Sequence, residues 1–167
     1  MKNVGKTIEI AGIKWKVLDK VEQGYLVITD GSIGNKMFGR NNDWRESSIR
    51  KFLNGEFLNK LKEVFVELPS FERNLLSMDG QTEYGTCMDK VSLLTVDEYR
   101  KYRKYLPNTG EWWWLITPDS TPCNNDDWRV RVVAPSGYNS YYDFYFNDRG
   151  VRPFCIFPFS IFESEEN

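Results

Sequence analysis

The sequence contains no histidine. That absence removes the Ser-His-Asp triad, the Cys-His pair, imidazole metal ligands and the imidazole proton shuttle. Its three cysteines, Cys87, Cys123 and Cys155, are dispersed and show no CxxC spacing. They lack the ligand spacing of a zinc site, and an odd number in a chain without a secretory leader points to reduced thiols rather than a disulfide framework. Each is expected to be a structural cysteine. No apolar run reaches the ~18 residues of a membrane helix, and MKNVGKTIEI at the N-terminus lacks the apolar stretch of a signal peptide. The expected location is therefore the cytoplasm, with no membrane partner. No P-loop, GxGxxG or GxSxG motif occurs, so phosphate, dinucleotide and serine-hydrolase chemistries have no signature here.

A second absence is local. Leu115 to Phe162 spans 48 residues without a Lys, Glu, Gln or Met, although these types supply 31 of the 167 residues. Charge is also uneven: residues 1–110 carry 18 basic and 15 acidic side chains, residues 111–167 carry 4 and 9. The net charge of −2 gives no global basic field, so nucleic acid is not the expected partner. What is abundant is aromatic: 11 Phe, 9 Tyr and 6 Trp, enough to build both a core and a binding face.

The length fits one domain. Short β-branched runs at 7–10, 13–18 and 24–29 predict strands, with Ile13, Trp15 and Val17 on one face and Lys14, Lys16 and Leu18 on the other. Ile49, Phe52, Leu53 and Phe57 recur at helical spacing behind Ser47, a natural N-cap. Asn54-Gly55 breaks that pattern into two expected helices, about 48–54 and 56–65, with a left-handed terminus between them. A strand at 74–77, a polar loop over 78–89 and a strand at 90–94 follow. Thr95 and Glu98 form a capping box opening a helix to about Tyr105. Strands are expected at 112–117, 129–134, 138–146 and 151–157, and the last residues, ESEEN, as a frayed tail.

Four segments carry a resemblance: IKWKVLDK (13–20), DWRESSIRKFLNGEF (43–57), DKVSLLTVDEYRKY (89–102), and WWLITP (113–118) with GVRPFCIF (150–157). Together they resemble a family of uncharacterised bacterial and phage domains with a C-type-lectin-like fold. That family is distantly similar to formylglycine-generating (sulfatase-modifying) domains and to the variable proteins of diversity-generating retroelements. Trp44, Ser47, Arg50, Leu53, Asn54, Gly55 and Phe57 match its most specific motif. The resemblance implies a single α+β domain over 1–167, with a core about 7–158, a tail at 159–167, small mixed β-sheets and two or three short helices. It also implies a phage or prophage origin, which would allow a virion or host-cytoplasm location. In such relatives the segment before the final G-x-R strand binds the partner, and in the retroelement proteins it is diversified at AAY codons. YNSYYDFYFND (138–148) holds only residues those codons can yield. Arg152, in the G-V-R-P turn, is expected to fork onto a carboxylate or backbone carbonyls.

Chemistry follows from these patterns. Tyr138, Asn139, Ser140, Tyr141, Tyr142, Asp143, Tyr145 and Asn147 form the expected partner-binding set, pointing outward while Phe144 and Phe146 point inward. Tyr with Ser and Asn is paratope chemistry: rigid amphipathic area beside adaptable hydrogen bonds. Asn124-Asn125-Asp126-Asp127 offers oxygen ligands for calcium but matches no calcium-loop motif, and is read as a solvated loop. Alternation sends Trp112 and Trp114 to one face and Trp113 to the other. The expectation is a non-catalytic recognition protein, without cofactor or metal, that binds a macromolecule and most naturally a protein. Two alternatives remain: a phage effector that inhibits a host protein by occlusion, and single-stranded nucleic-acid or glycan binding by exposed rings.

Overall fold

The computed structural model describes residues 2–65 and 67–163. Strands β1 (Thr7–Ile10) and β2 (Ile13–Val21) are joined by Ala11-Gly12, both in the left-handed region with φ of 55° and 72°. The pairing Ile10↔Ile13 makes this a two-residue hairpin whose turn matches strand twist. β3 (Gly24–Thr29) follows β2 through a second tight turn. The expected alternation holds through Leu18: Trp15 and Val17 join one core, and Leu18, on the Lys14 and Lys16 side, is buried in the other, after which a bulge between Val17 and Asp19 shifts the register.

Ser47 caps α1 (Ser48–Phe52), its hydroxyl accepting from the amides of Ile49 and Arg50 at 3.1 and 3.4 Å. The expected break at Asn54-Gly55 does not occur. A π-helical turn (Leu53–Phe57) carries the chain into α2 (Leu58–Leu61), and Gly55 has no left-handed backbone. The reason lies in Asn54. Its amide donates to the carbonyls of Arg50 and Val91 at 3.0 and 2.8 Å, and its oxygen accepts from the amides of Lys90 and Val91 at 3.1 and 3.0 Å. Those bonds lock the helix to the chain at residues 90–91, and the wider turn accommodates them.

The hairpin of β4 (Phe71–Asn74) and β5 (Thr86–Asp89) occupies part of the stretch read as a polar loop, and its first strand begins three residues earlier than the sequence pattern suggests. β6 (Val91–Ser92) is shorter than expected. The capping box is present at α3 (Val96–Tyr102), which ends in a 3-10 turn to Tyr105. β7 (Trp113–Pro118), β8 (Arg129–Val133) and β9 (Asn139–Asp143) form an antiparallel three-stranded sheet. β10 (Phe154–Phe157) enters between β3 and β6 in a five-stranded sheet of order β1-β2-β3-β10-β6. A final short helix, α4 (Ser160–Glu163), follows. The described residues thus form a single α+β domain of three small antiparallel sheets and short helices.

Both faces of the central sheet are covered. Trp15, Val17, Val27, Cys155 and Phe157 pack with Trp44, Leu53 and Trp114 on one side. Leu18, Leu26, Ile28, Phe154 and Ile156 pack with Tyr99, Trp113 and Leu115 on the other. Trp114 and Trp113 therefore divide between the cores as alternation requires, with Trp112 packed beside the first. The start of the tail at 159–167, ahead of the ESEEN segment expected to fray, is packed: Phe159 and Phe162 meet Tyr25 edge-on at 5.3 and 4.5 Å. Residues 164–167 of that tail lie outside the described residues.

The G-V-R-P turn ties the sheets together. Gly150 donates to the carbonyl of Trp112 at 2.7 Å and accepts from the amide of Trp114 at 3.0 Å. A β-carbon there would lie 2.7 Å from Ser32 Oγ and 3.2 Å from the Trp112 carbonyl oxygen. Gly150→Ala is accordingly expected to destabilise the fold by about 1–3 kcal/mol, read as a lower denaturation midpoint at unchanged slope. Arg152 is fully buried, as a carbonyl fork: Nε and Nη2 both donate to Thr29 O, at 3.1 and 2.9 Å, and its guanidinium stacks 4.6 Å from the centre of Trp113. Burial lowers its pKa.

Candidate recognition face

The register of β8 on β9 decides which side chains meet. Arg129, Arg131 and Val133 pair with Asp143, Tyr141 and Asn139, while Val130 and Val132 pair with Tyr142 and Ser140. Since neighbours along a strand alternate sides, Asn139, Tyr141 and Asp143 share the outer side with Arg129 and Arg131. Ser140 and Tyr142 share the inner side with the fully buried Val130 and Val132. The expected set is therefore split: Ser140 and Tyr142 are not brought to the outer face.

Tyr142 has its own environment. Its ring lies 3.7 Å from the Arg149 guanidinium and meets Trp112 and Phe146 edge-on at 4.9 and 5.1 Å. Arg149 is itself buried and paired with Asp148 at 2.6 Å. This stack fixes the chain that turns back from β9 toward Gly150, with Phe144 and Phe146 packed inward as expected. Tyr138 stands at the rim of the same side, edge-on to Trp112 at 6.1 Å and 58 % exposed. Asn147 is exposed beyond the strand.

On the outer face Tyr141 is 46 % exposed, with the guanidinium groups of Arg129 and Arg131 at 5.3 and 5.9 Å from its ring. Arg129 also covers Trp128 at 5.5 Å, bringing that exposed indole into the patch. Arg131 is held in place by Asp119 at 2.8 Å and Asn139 at 3.2 Å. Tyr145 follows the strand end, 53 % exposed, stacked on Phe146 at 5.1 Å, with its hydroxyl donating to Asp143 at 3.0 Å. That bond raises the pKa of the phenol above its ordinary value. The face is thus Trp, Tyr and Arg around a few polar groups, the residue types enriched at interface hot spots.

Trp128, Arg129 and Arg131 are missing from the sequence-level set. Their signal was present: R-V-R-V-V alternates, which places both arginines opposite the valines that fill the core. What the sequence does not show is that this strand pairs with the tyrosine strand.

The Asn124–Asp127 loop has a structural role. Asp126 is buried and accepts from the amides of Trp128 and Arg129 at 3.2 and 3.1 Å, starting the strand. Asn125 turns the chain with φ of 53°. Among the described residues no group of three or more Asp, Glu, Cys or His is arranged to hold a metal ion. None of the cysteines is activated: burial pushes Cys155 up and Cys87 up to about 11, and a hydrogen bond with Glu83 raises Cys123. No helix among the described residues is long and apolar enough to cross a membrane.

A family model described as a domain of unknown function (DUF6273) matches residues 22–107, from β3 through α3. The β7–β9 sheet and β10 lie beyond that match. No curated protein and no solved structure matches the chain.

Proposed function

The chain belongs to the DUF6273 family, whose description names no activity, and from the chemistry of the site we propose that it is a non-catalytic recognition protein. It binds a protein partner through the outer face of β8 and β9. The observation that carries this is the clustering of the exposed Trp128 and Tyr141 against Arg129, with the exposed Tyr145 bonded to Asp143 just beyond the strand end. Large rings held in fixed positions lose little conformational freedom on binding and exclude much water, so they act as anchors, with polar side chains as the rim.

In this proposal the domain is a C-type-lectin-like module of bacterial or phage origin, as the resemblance implies. Packing supports a division of labour. Val151 to Phe157 is buried, whereas Tyr138, Tyr141, Tyr145 and Asn147 project into solvent. Sequence change in the second group alters the surface without opening the core, which is what a diversified segment requires.

The test separates binding from folding. Tyr141→Ala and Tyr145→Ala are expected to weaken partner binding by about 10- to 30-fold each, as hot-spot tyrosines do. Their denaturation midpoints should stay close to that of the parent, because surface changes are usually within about 0.5 kcal/mol. Calorimetric binding and urea melts on the same preparations check both. A large loss of stability with either variant, or undiminished binding with both, would overturn the proposal.

A further inference from the structure

Charge identifies the partner more closely, an inference that rests on the recognition role just proposed. Between residues 119 and 149 the chain has three arginines and five aspartates. Two of the arginines are neutralised in place, Arg149 by Asp148 and Arg131 by Asp119. Arg129 lies 3.4 Å from Asp126, leaving Asp127 and Asp143 uncompensated by any ion pair among the described residues.

Two further carboxylates come from the β4–β5 hairpin and lean on the same loop. Asp79 accepts from Ser120 at 2.6 Å and from Asn124 at 3.2 Å, and Glu83 accepts from the amide of Cys123 at 3.1 Å. Hydrogen bonds hold both below the ordinary carboxylate range, so both are charged at neutral pH. Asp79, Asp119 and Asp126 line an open recess of about 320 Å³ that Arg129 also borders. The aromatic face therefore sits beside a concentration of negative charge.

The rings favour the same sign. The chain's own guanidinium groups already lie against Trp128 and Tyr141, showing that the π-faces take cations in this setting. Tyr145 has no cation against it among the described residues and remains open to a partner's.

We propose that this face docks a basic protein surface, with partner Arg or Lys side chains lying on the exposed rings and pairing with Asp127, Asp143 and, in the adjoining recess, Asp79. Acidic partners are repelled by the same groups, and nucleic acid is disfavoured for the same reason.

Three labelled probes test it on the full chain: a ten-residue peptide alternating Arg and Ser, its Glu and Ser counterpart, and an oligothymidine of fifteen nucleotides. The Arg peptide alone is expected to bind, with amide NMR shifts confined to residues 119–148 and the hairpin at 79–83. Asp127→Asn with Asp143→Asn should weaken it by about fivefold, Tyr141→Ala by a similar factor, and raising salt from about 0.05 to 0.5 M should weaken it further. Glu9→Gln with Glu72→Gln, exposed acids on the other two sheets, should leave it unchanged. Equal loss in that control pair, or shifts spread over the surface, would show mere attraction to net charge and overturn the proposal. Shifts at the face from the Glu peptide or the oligonucleotide instead would overturn the basic partner while leaving a recognition face in place. Silence from all three probes would also overturn it, and the Tyr141 and Tyr145 comparison then decides the recognition role by itself.

Discussion

Removing the carboxylate of Asp89 is expected to cost about 3–5 kcal/mol, because it leaves a buried donor and a partly buried cation without their acceptor. Asp89 sits where β5 meets the helical run. Its Oδ2 accepts from the indole Nε1 of Trp44 at 2.7 Å and its Oδ1 from Arg50 Nε at 2.7 Å. Trp44 is fully buried, tilted against Phe38 at 5.8 Å, so its indole N–H has no bulk solvent beside it. Trp44→Phe keeps an apolar ring and removes the donor. Combining it with Asp89→Ala should therefore cost less than the two single losses added together, by about 1–3 kcal/mol. Urea denaturation of the four proteins measures this coupling. Simple additivity would mean that the indole bond contributes nothing beyond ring packing.

That network also shows what the sequence made legible. Ile49, Leu53 and Phe57 could be assigned to one packed face from helical spacing, and Ser47 to the cap, because those signals are local. Asp89, the acceptor for Trp44, looked like one acid among many in a polar stretch. Its partner lies 45 residues away in sequence, and no periodicity reports a contact of that kind. The same holds for Asn54. Asn-Gly is ordinarily a turn signal, and tertiary hydrogen bonds to Lys90 and Val91 turned it into a clasp inside a helix.

At the candidate face, the tyrosines were legible as a composition and Phe144 and Phe146 as inward residues. The two-sided division of the tyrosines was not. Tyr142 lies under Arg149 because β9 pairs with β8 in a particular register, and an aromatic run gives no register of its own. Trp128, Arg129 and Arg131 joined the face through that same pairing. The second strand of the β4–β5 hairpin escaped notice for a different reason: Thr86–Asp89 has no apolar alternation, since the residues this ribbon buries include the charged Arg73 and Asp89.

The loop that delivers Trp128 and Arg129 to the face hangs on Asn42, and Asn42→Ala is expected to destabilise the protein by about 3–5 kcal/mol, several buried polar groups losing partners at once. Asn42 is fully buried. Its amide nitrogen donates toward the carbonyls of Ser120, Asp126 and Arg129 at 3.0, 3.2 and 3.1 Å, and its oxygen accepts from the Tyr84 hydroxyl at 2.5 Å. Burial raises the Tyr84 pKa, keeping that hydroxyl a donor. One side chain thus gathers both ends of the loop onto the hairpin. Asn42→Asp should be worse than alanine at neutral pH, since a carboxylate has no proton to give and faces three carbonyl oxygens. That buried carboxylate would have its folded pKa raised above the unfolded value, so the folded state binds the extra proton and the deficit relative to alanine shrinks as pH falls toward the ordinary aspartate range, about 4. Hydrogen exchange places the damage: amides from Asp119 to Arg129 should lose protection in Asn42→Ala while those of β3 and β10 keep theirs. The same variant then asks whether Trp128 acts only when it is held still. If binding at the face falls along with loop protection at a temperature where the domain remains folded, preorganisation of the loop is part of recognition. Binding retained on a loosened loop would assign the affinity to Tyr141 and Tyr145 alone.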